Sequence, residues 1–291
     1  MNIVQCEHIS KKWKDFSLYD VNFTIPKGYI TGFIGPNGSG KTTTIKLIMD
    51  ILKLDEGDIT LFGSPHTNTD VKQHIGFVYD DLFMYEEFTI KKMKSFIAPL
   101  YKNWNDTLFQ ELIEQFNLPY KKKIKTFSKG MKMKCSLLFA LSHEPTLIIM
   151  DEPTAGLDPI FRKELLQTLQ QLMIREDQTI FLSTHITADL DKIADHVIVM
   201  NEGNVLLQQS MDEINETYHI IKGKNELLDE DVRELFEHVE QTNTNFQALF
   251  KGNPAIFEPF YEEIVIERVT LDDLLYFLIK GESRNVATHQ A

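Results

Sequence analysis

A glycine-rich segment near the N-terminus has the sequence Gly35-Pro36-Asn37-Gly38-Ser39-Gly40-Lys41-Thr42. It matches the pattern G-x-x-x-x-G-K-T of a phosphate-binding loop. An apolar stretch of strand character precedes the segment, at 29–34. Apolar residues recur at helical spacing after it, namely Ile45, Ile48, Met49 and Leu52. The flanks therefore predict a strand, a glycine loop and a helix in this order, which is the context that the pattern requires.

Each residue type in this segment suits phosphate binding. The glycines let backbone N–H groups approach phosphate oxygens, and the N-terminus of the following helix attracts an anion. We expect Lys41 to reach the β- and γ-phosphates and the Thr42 hydroxyl to bind Mg²⁺. The segment thus predicts a site for a nucleoside triphosphate.

The composition excludes several classes of protein. The chain has 291 residues and a formal net charge of -13, which argues against a protein devoted to DNA or RNA, and we expect no nucleic-acid partner. The separate cysteines, Cys6 and Cys135, predict buried thiols in a reducing compartment. We find no pattern of a signal peptide and no apolar run of the roughly 18 residues that span a bilayer. Any role at a membrane is therefore expected to depend on a partner chain.

Polar or acidic residues follow three predicted strands. Asp80 and Asp81 come after a strand at 75–79, and Asp151 and Glu152 come after the apolar run 147–150. A third buried strand at 179–183 is followed by Thr184 and His185. Open α/β sheets bind ligands at the carboxyl ends of their strands. For Asp80 and Asp81 alone, a solvated turn and a metal site both remain open.

Two further stretches also have alternative interpretations. Trp13 lies in a turn between the first two predicted strands, where it either stacks on a base or is half-buried at a sheet edge. The segment 121–134 contains seven lysines and no acid, within a predicted helical region at 88–143. This basic run is either a solvated surface or a source of phosphate contacts.

The character of the chain changes after Ser210. Ser210 and Glu213 form a capping-box pattern, and residues 226–240 contain seven acids against Arg233. Strands are predicted at 246–250 and 264–266, and Thr270 is expected to cap a last apolar helix at 274–279. These features predict a small α+β unit.

Five motifs in order resemble those of the ATP-binding subunits of ABC transporters. They are Trp13 (the base-stacking aromatic), the glycine loop (Walker A), Leu147 to Glu152 (Walker B and its glutamate), Ala155 to Asp158 (the D-loop) and His185 (the switch histidine). A segment at Phe127 to Met131 stands for the signature motif of the family. The resemblance spans residues 1–210. More narrowly, the chain resembles ATPase subunits of Gram-positive exporters of antimicrobial or amphipathic peptides, such as the phenol-soluble modulin exporter.

The resemblance implies a fold and an organisation. The fold class is α/β, a P-loop NTPase core with a mixed sheet and a helical subdomain at about 85–143, plus a small C-terminal α+β appendix. The implied domains are 1–210 and 211–281, with a disordered tail at 282–291. The implied partners are membrane-spanning permease subunits and a second ATPase subunit, identical or different. The implied location is cytoplasmic, peripheral on the inner face of the cell membrane.

The resemblance also implies the residues of the site. Glu152 is the general base that polarises water, His185 binds the γ-phosphate, and Lys41 neutralises charge. Mg²⁺ is implied to be held by Thr42, Asp80 and Asp151. ATP is implied to contact Trp13, Gly35, Pro36, Asn37, Gly38, Ser39, Gly40, Lys41, Thr42, Thr43, Ser128, Lys129, Gly130 and Asp158.

Two motifs depart from the family pattern. Lys129 replaces a glycine of the LSGGQ signature and adds a charge beside Ser128 and Gly130, which are implied to touch the ATP of the partner subunit. Asp80 replaces the glutamine of the Q-loop; it keeps an oxygen for Mg²⁺ but donates no hydrogen bond. These departures leave one alternative to an exporter ATPase, a nucleotide sensor with weak turnover. The basic run at 121–134 leaves a second alternative, a soluble ABC factor that acts on ribosomes or DNA.

Overall fold

The computed structural model describes residues 1–79, 85–174 and 178–288, with side chains up to residue 281. The strands of this part are β1 Asn2–Lys12, β2 Ser17–Pro26, β3 Ile30–Ile34, β4 Glu56–Leu61, β5 Ser64–Pro65, β6 Ile75–Val78, β7 Leu147–Asp151, β8 Thr179–Thr184, β9 His196–Asn201, β10 Asn204–Ser210, β11 Tyr218–Lys224, β12 Phe236–Gln241, β13 Asn245–Lys251 and β14 Ile264–Arg268. The α-helices are α1 Lys41–Ile48, α2 Ile90–Ile97, α3 Asp106–Gln115, α4 Lys129–Leu141, α5 Pro159–Leu172, α6 Thr187–Leu190, α7 Met211–Thr217, α8 Glu230–Glu234 and α9 Leu271–Thr288. Short 3₁₀ helices lie at Thr69–His74, Ala98–Leu100, Ile124–Thr126, Asn225–Leu227 and Pro254–Phe260.

The central sheet has the strand order β10-β9-β3-β8-β7-β6. All neighbours from β9 to β6 pair in parallel, and β10 adds an antiparallel edge. Every residue of β3, β7 and β8 is buried, as their apolar sequences predict for strands covered on both faces. The mixed sheet with flanking helices confirms the predicted α/β fold class.

A second sheet, β2-β1-β4-β5, covers one face of the central sheet. A hydrophobic cluster that also includes the buried side of α1 joins the two sheets. Phe23 of the second sheet packs on Phe33 and Phe181 of the central sheet, with ring centroids 5.7 and 6.2 Å away. The glycine loop is thereby anchored between two layers, because β3 and α1 both belong to this cluster.

The helical region predicted at 85–143 consists of α2, α3 and α4. Its buried side chains join the other face of the central sheet in one core. Phe109 and Leu112 of α3 and Phe116, which follows the helix, are buried, whereas Leu108 is only partly buried. Thr89, Asn105 and Ser128 cap the three helices through their side chains.

The C-terminal region contains a third sheet with the order β12-β13-β11-β14, in which all pairs are antiparallel. The strands expected at 246–250 and 264–266 are present as β13 and β14. The sequence analysis missed β11 and β12. In β12 a register shift between Phe236 and His238 places Phe236 and Val239 in the same cluster, so the period-2 pattern of a strand is lost.

The capping predictions for this region are confirmed. Ser210 and Glu213 form a reciprocal capping box at α7. Thr270 Oγ1 accepts the Asp273 N–H at 3.1 Å at the start of α9. Helix α9 extends along the backbone to Thr288.

The C-terminal region shares its core with the first 210 residues. Leu190 and Ile193 belong to the same cluster as Leu271, Leu274 and Phe277. The N–H of Leu271 donates to Asp191 Oδ1 at 3.1 Å. Burial first, and then the charges of Asp272 and Asp273, raise the pKa of the Asp191 carboxyl. Helix α9 is therefore packed firmly beside the segment that follows His185.

Phe277→Ala is expected to lower the free energy of unfolding by about 3–5 kcal/mol, because it leaves a cavity in this shared core. Phe277 is 1% exposed. Urea denaturation followed by circular dichroism measures the change, and Ile174→Ala, at a side chain that is 79% exposed, is the control. Equal stability of the two variants would show that α9 does not contribute to the core.

Candidate active site

The glycine loop is shaped for close contact with an anion. An added Cβ on Gly35 would lie 2.1 Å from the Met200 carbonyl oxygen, so only glycine fits there. Gly40 has φ 112° and precedes α1 as its N-cap. No side chain caps this helix, so its first N–H groups point into the loop without a side-chain acceptor. The predicted strand, loop and helix are all present.

Lys41 lies inside the loop. Its side chain is 6% exposed, and its Nζ donates to the carbonyl oxygens of Gly35 at 2.8 Å and Pro36 at 3.1 Å. Glu152 Oε1 is 3.7 Å from the same nitrogen. Burial lowers the pKa of Lys41, and the charges of Glu152 and Asp151 oppose this shift. A buried cation at this position is available to the phosphates of a nucleotide.

The two acids at the end of β7 are held by the neighbouring strand β8. Asp151 is 2% exposed, and the Ser183 hydroxyl donates to its Oδ1 at 2.6 Å. The Glu152 N–H lies 3.1 Å from both the carbonyl oxygen and Oγ of Ser183. Glu152 has φ 49°, a conformation that is unfavourable for a residue with a side chain. The strained backbone turns the Glu152 carboxylate back toward Lys41.

His185 completes a row of three charged or polar side chains. The ring Nδ1 of His185 lies 2.7 Å from Glu152 Oε2, and the backbone N–H of His185 donates to the same oxygen at 3.3 Å. Glu152 thus lies between Lys41 and His185, whose side chain is 40% exposed. The structure brings together the three residues that the sequence predicts as catalytic.

Trp13 is connected to the glycine loop by the ring of Phe16, which lies between them. It is 37% exposed, and its ring centroid is 6.2 Å from that of Phe16. The Phe16 ring in turn reaches Gly40, where an added Cβ would lie 2.9 Å from Phe16 Cζ. Trp13 is therefore a half-exposed aromatic beside the phosphate loop, as base stacking requires.

The signature residues lie at the N-terminus of α4. Ser128 caps this helix through the Met131 N–H at 3.2 Å, and Gly130 packs against the ring of Phe161. Lys129 is exposed, and its side chain lies beside Gly156. A Cβ added to Gly156 would be 2.7 Å from Lys129 Nζ. No hydrogen bond or ion pair of the described residues joins 128–130 to the glycine loop. Asp158 caps α5, accepting the N–H groups of Ile160 and Phe161 at 3.1 and 3.0 Å.

The predicted metal ligands are only partly described. Thr42 is half-buried in the first turn of α1 beside Thr43, and Asp151 lies at the end of β7. Asp80, the third predicted ligand, lies outside the described residues. Among those that are described, no cluster of three or more His, Cys, Asp or Glu side chains could hold a metal ion. The donor set fits Mg²⁺, which usually takes one or two protein oxygens together with phosphate and water oxygens.

The sequence analysis missed two residues that position the site. Ser183 pairs with Asp151 in the β7–β8 register and holds both acids, and its place two residues before His185 was the available signal. Phe16 links Trp13 to Gly40 and gave no signal in the sequence. Both roles depend on contacts between elements distant in the chain.

Comparison with known proteins identifies the family. The family model described as ABC transporter matches residues 18–155. The ABC transporter ATP-binding protein YcbN of Bacillus subtilis is 33% identical over 73% of this chain and 71% of that protein. The chain belongs to the ABC transporter family of ATP-binding proteins.

Other relatives agree with this assignment. The bacitracin transport ATP-binding protein BcrA of Bacillus licheniformis is 33% identical over 68% of this chain and 66% of that protein. A solved ATP-binding subunit of an ABC transporter superposes with a TM-score of 0.66 at 28% identity, over 73% of this chain and 92% of that one. This ABC protein is an ATPase that binds ATP. Among its described residues, no helix has the length and apolar character of a membrane span.

Ser183→Ala is expected to lower ATP hydrolysis by about 10–100-fold, because it removes the donor to Asp151 and one acceptor of the Glu152 N–H. A phosphate-release assay over a range of Mg²⁺ concentrations measures the effect. Ser136→Ala, at a buried hydroxyl in α4, is the control. An unchanged rate at every Mg²⁺ concentration would contradict a positioning role for Ser183.

Proposed function

We propose that this ABC ATPase powers an exporter of peptides or amphipathic, drug-like molecules. The observation that supports hydrolysis best is the position of Glu152 between Lys41 and His185, at 3.7 and 2.7 Å. Phosphoryl transfer to water depends on charge neutralisation and on a positioned nucleophile. Glu152 accepts a proton from the attacking water, Lys41 and the loop amides neutralise the phosphates, and His185 contacts the γ-phosphate. Trp13 stacks on the base.

Thr42 and Asp151 are the described residues that would hold Mg²⁺, Asp151 through water. When bound, the ion supplies positive charge to the β- and γ-phosphates. The hydrogen bond from Ser183 keeps the Asp151 carboxylate oriented for this role. Asp80 remains a proposed third ligand.

The site described so far is one half of a dimeric site. Ser128, Lys129 and Gly130 lie at the N-terminus of α4, where the helix dipole favours an anion. The first turn of α4 contains no acid, and the exposed Lys129 has no ion pair among the described residues. We propose that this end binds the γ-phosphate of ATP held by a second ATPase subunit, identical or different. Head-to-tail dimers then form with ATP and separate after hydrolysis.

The transport relatives support the proposed partners and location. The B. licheniformis relative is named a bacitracin transport ATP-binding protein, and this name describes that relative only. We extend to this chain the role of a transport ATPase, and we do not extend bacitracin as the transported compound. Permease subunits on separate chains would place it at the inner face of the cell membrane. The segment 269–275 resembles the closing helix of export ATPases, and its residues 271–275 form the start of α9.

The basic run gives little support to the ribosome or DNA alternative. Lys123 and Lys125 both pair with Glu87, at 2.9 and 2.7 Å. Lys132 pairs with Glu86, and Lys134 with Glu164. Four of the seven lysines thus form ion pairs with acids of the same chain. These ion pairs favour the interpretation of the basic run as a solvated surface over a source of phosphate contacts. The presence of both Glu152 and His185 argues against the sensor alternative.

Glu152→Gln is expected to lower steady ATP hydrolysis by about 10²–10⁴-fold, because glutamine does not accept the proton of the attacking water. ATP binding is retained, so the variant should elute as an ATP-dependent dimer in size-exclusion chromatography. Glu111→Gln, an exposed change in α3, is the control and should leave both properties unchanged. A variant that hydrolyses ATP at the wild-type rate would exclude Glu152 as the base.

The export role is tested on the complex of this chain with the membrane-spanning proteins encoded beside it, reconstituted in liposomes. An amphipathic peptide should stimulate ATP hydrolysis several-fold over a polar peptide of equal length, and the E152Q complex should show no stimulation. Absence of any complex with those proteins would overturn the exporter proposal and leave the ATPase assignment intact.

A further inference from the structure

A cavity of about 360 Å³ lies in the C-terminal region, far along the chain from the ATPase residues. This volume is within the range of about 300–1,000 Å³ that is typical of sites for small ligands. All the residues that line it are apolar: Ile221, Leu227, Val232, Leu235, Phe236, Phe246, Ile256, Phe257, Phe260 and Ile264. We call it the C-terminal cavity.

The cavity exists because the third sheet is covered unequally. One face of this sheet, with Ile220 and Leu249, belongs to the core that contains α9. In the part of the chain that the structure describes, the opposite face, with Ile221 and Ala248, is covered by short elements: α8 and the 3₁₀ helices Asn225–Leu227 and Pro254–Phe260. These elements leave space above the sheet that no side chain fills.

The wall and the rim of the cavity differ in exposure. Phe236 and Phe257 are buried and stacked, with centroids 5.8 Å apart and planes 6° apart. Leu235, Ile256 and Phe260 are 46%, 51% and 43% exposed although they line the cavity. Ordered rings form its floor, and exposed apolar side chains surround its entrance. An apolar group that enters would remove this surface from water.

The entrance is surrounded by negative charge. Residues 226–264 contain ten acids against Arg233 and Lys251. The acids are all exposed, and the described residues provide no ion pair for them. Six acids directly adjoin lining residues in the chain: Glu226, Asp231, Glu234, Glu237, Glu258 and Glu263. Two bases also adjoin lining residues: Arg233 donates to Gln241, and Lys222 pairs with Glu267 at 2.6 Å.

We propose that the C-terminal cavity binds a small amphipathic cation, with its apolar part against Phe236 and Phe257 and its positive group at the acidic rim. The apolar lining excludes a polar ligand because its hydrogen bonds with water would be lost without replacement. The acids repel an anionic amphiphile such as a fatty acid. The half-exposed ring of Phe260 adds a favourable contact for a cation at the entrance.

Isothermal titration calorimetry of the full chain with decyltrimethylammonium, below its aggregation concentration, tests the proposal. We expect saturable binding of one molecule per chain. Decanoate has the same chain length and the opposite charge, and tetramethylammonium lacks the apolar chain. Both should bind at least about tenfold more weakly, since each lacks one of the two contacts.

Matched variants locate the site. Ile256→Gln should weaken binding of decyltrimethylammonium by about tenfold, because it places an amide at the apolar rim. Val265→Gln is the control: Val265 is 56% exposed, and it points away from the cavity because it alternates with Ile264 on β14. Glu258→Gln combined with Glu263→Gln should weaken binding and reduce its dependence on salt.

Phe260→Gln provides a second rim variant if Ile256→Gln loses its circular dichroism spectrum. A circular dichroism spectrum and a thermal melting curve like those of the wild type show that each variant is folded. The binding measurement does not involve transport, so the result is independent of the proposed transport function. Equal binding of decanoate, equal effects of I256Q and V265Q, or no saturable binding would each overturn the proposal. So would a change in sedimentation of I256Q without ligand, which would make the cavity an interface between chains.

Discussion

The carboxylate of Glu152 is the element on which the catalytic arrangement depends. It lies between the buried ammonium of Lys41 and the ring of His185, and so joins the glycine loop to the segment after β8. The left-handed backbone of Glu152 is unfavourable, and the hydrogen bonds from its N–H to Ser183 help to maintain it. A carboxylate held in this way needs no reorganisation before it contacts water beside the phosphates.

The parallel arrangement of β3, β7 and β8 explains why residues far apart in the chain meet. Each strand is fully buried, and the charged side chains of the site come only where the strands end. The carboxyl ends of the three strands lie side by side. The amides of the glycine loop, two acids and a histidine are therefore close together there. The second sheet fixes the loop from the other side through Phe23 and Phe33. The signature residues lie on a different element, at the N-terminus of α4.

The C-terminal region shows where sequence patterns lose information. Helix caps at Ser210 and Thr270 were predicted because capping depends on a few consecutive residues. Strand β12 was missed because a register shift removes its alternation, and the extent of α9 was underestimated because its polar end resembles a tail. The same region packs against α6 beside His185 through Leu271, Leu274 and Phe277. The boundary at residue 210 is thus a change of sequence character without a break in the core.

The sequence alone determined the phosphate loop, the strands that precede the catalytic residues, and the identities of Lys41, Glu152 and His185. These features are local: a few consecutive residues define a loop, a buried strand or a cap. Only the tertiary structure decided that Ser183 holds both acids, that Phe16 connects Trp13 to Gly40, and that the third sheet leaves a cavity. These contacts join residues whose spacing in the chain follows no period, because packing and register between separate elements create them.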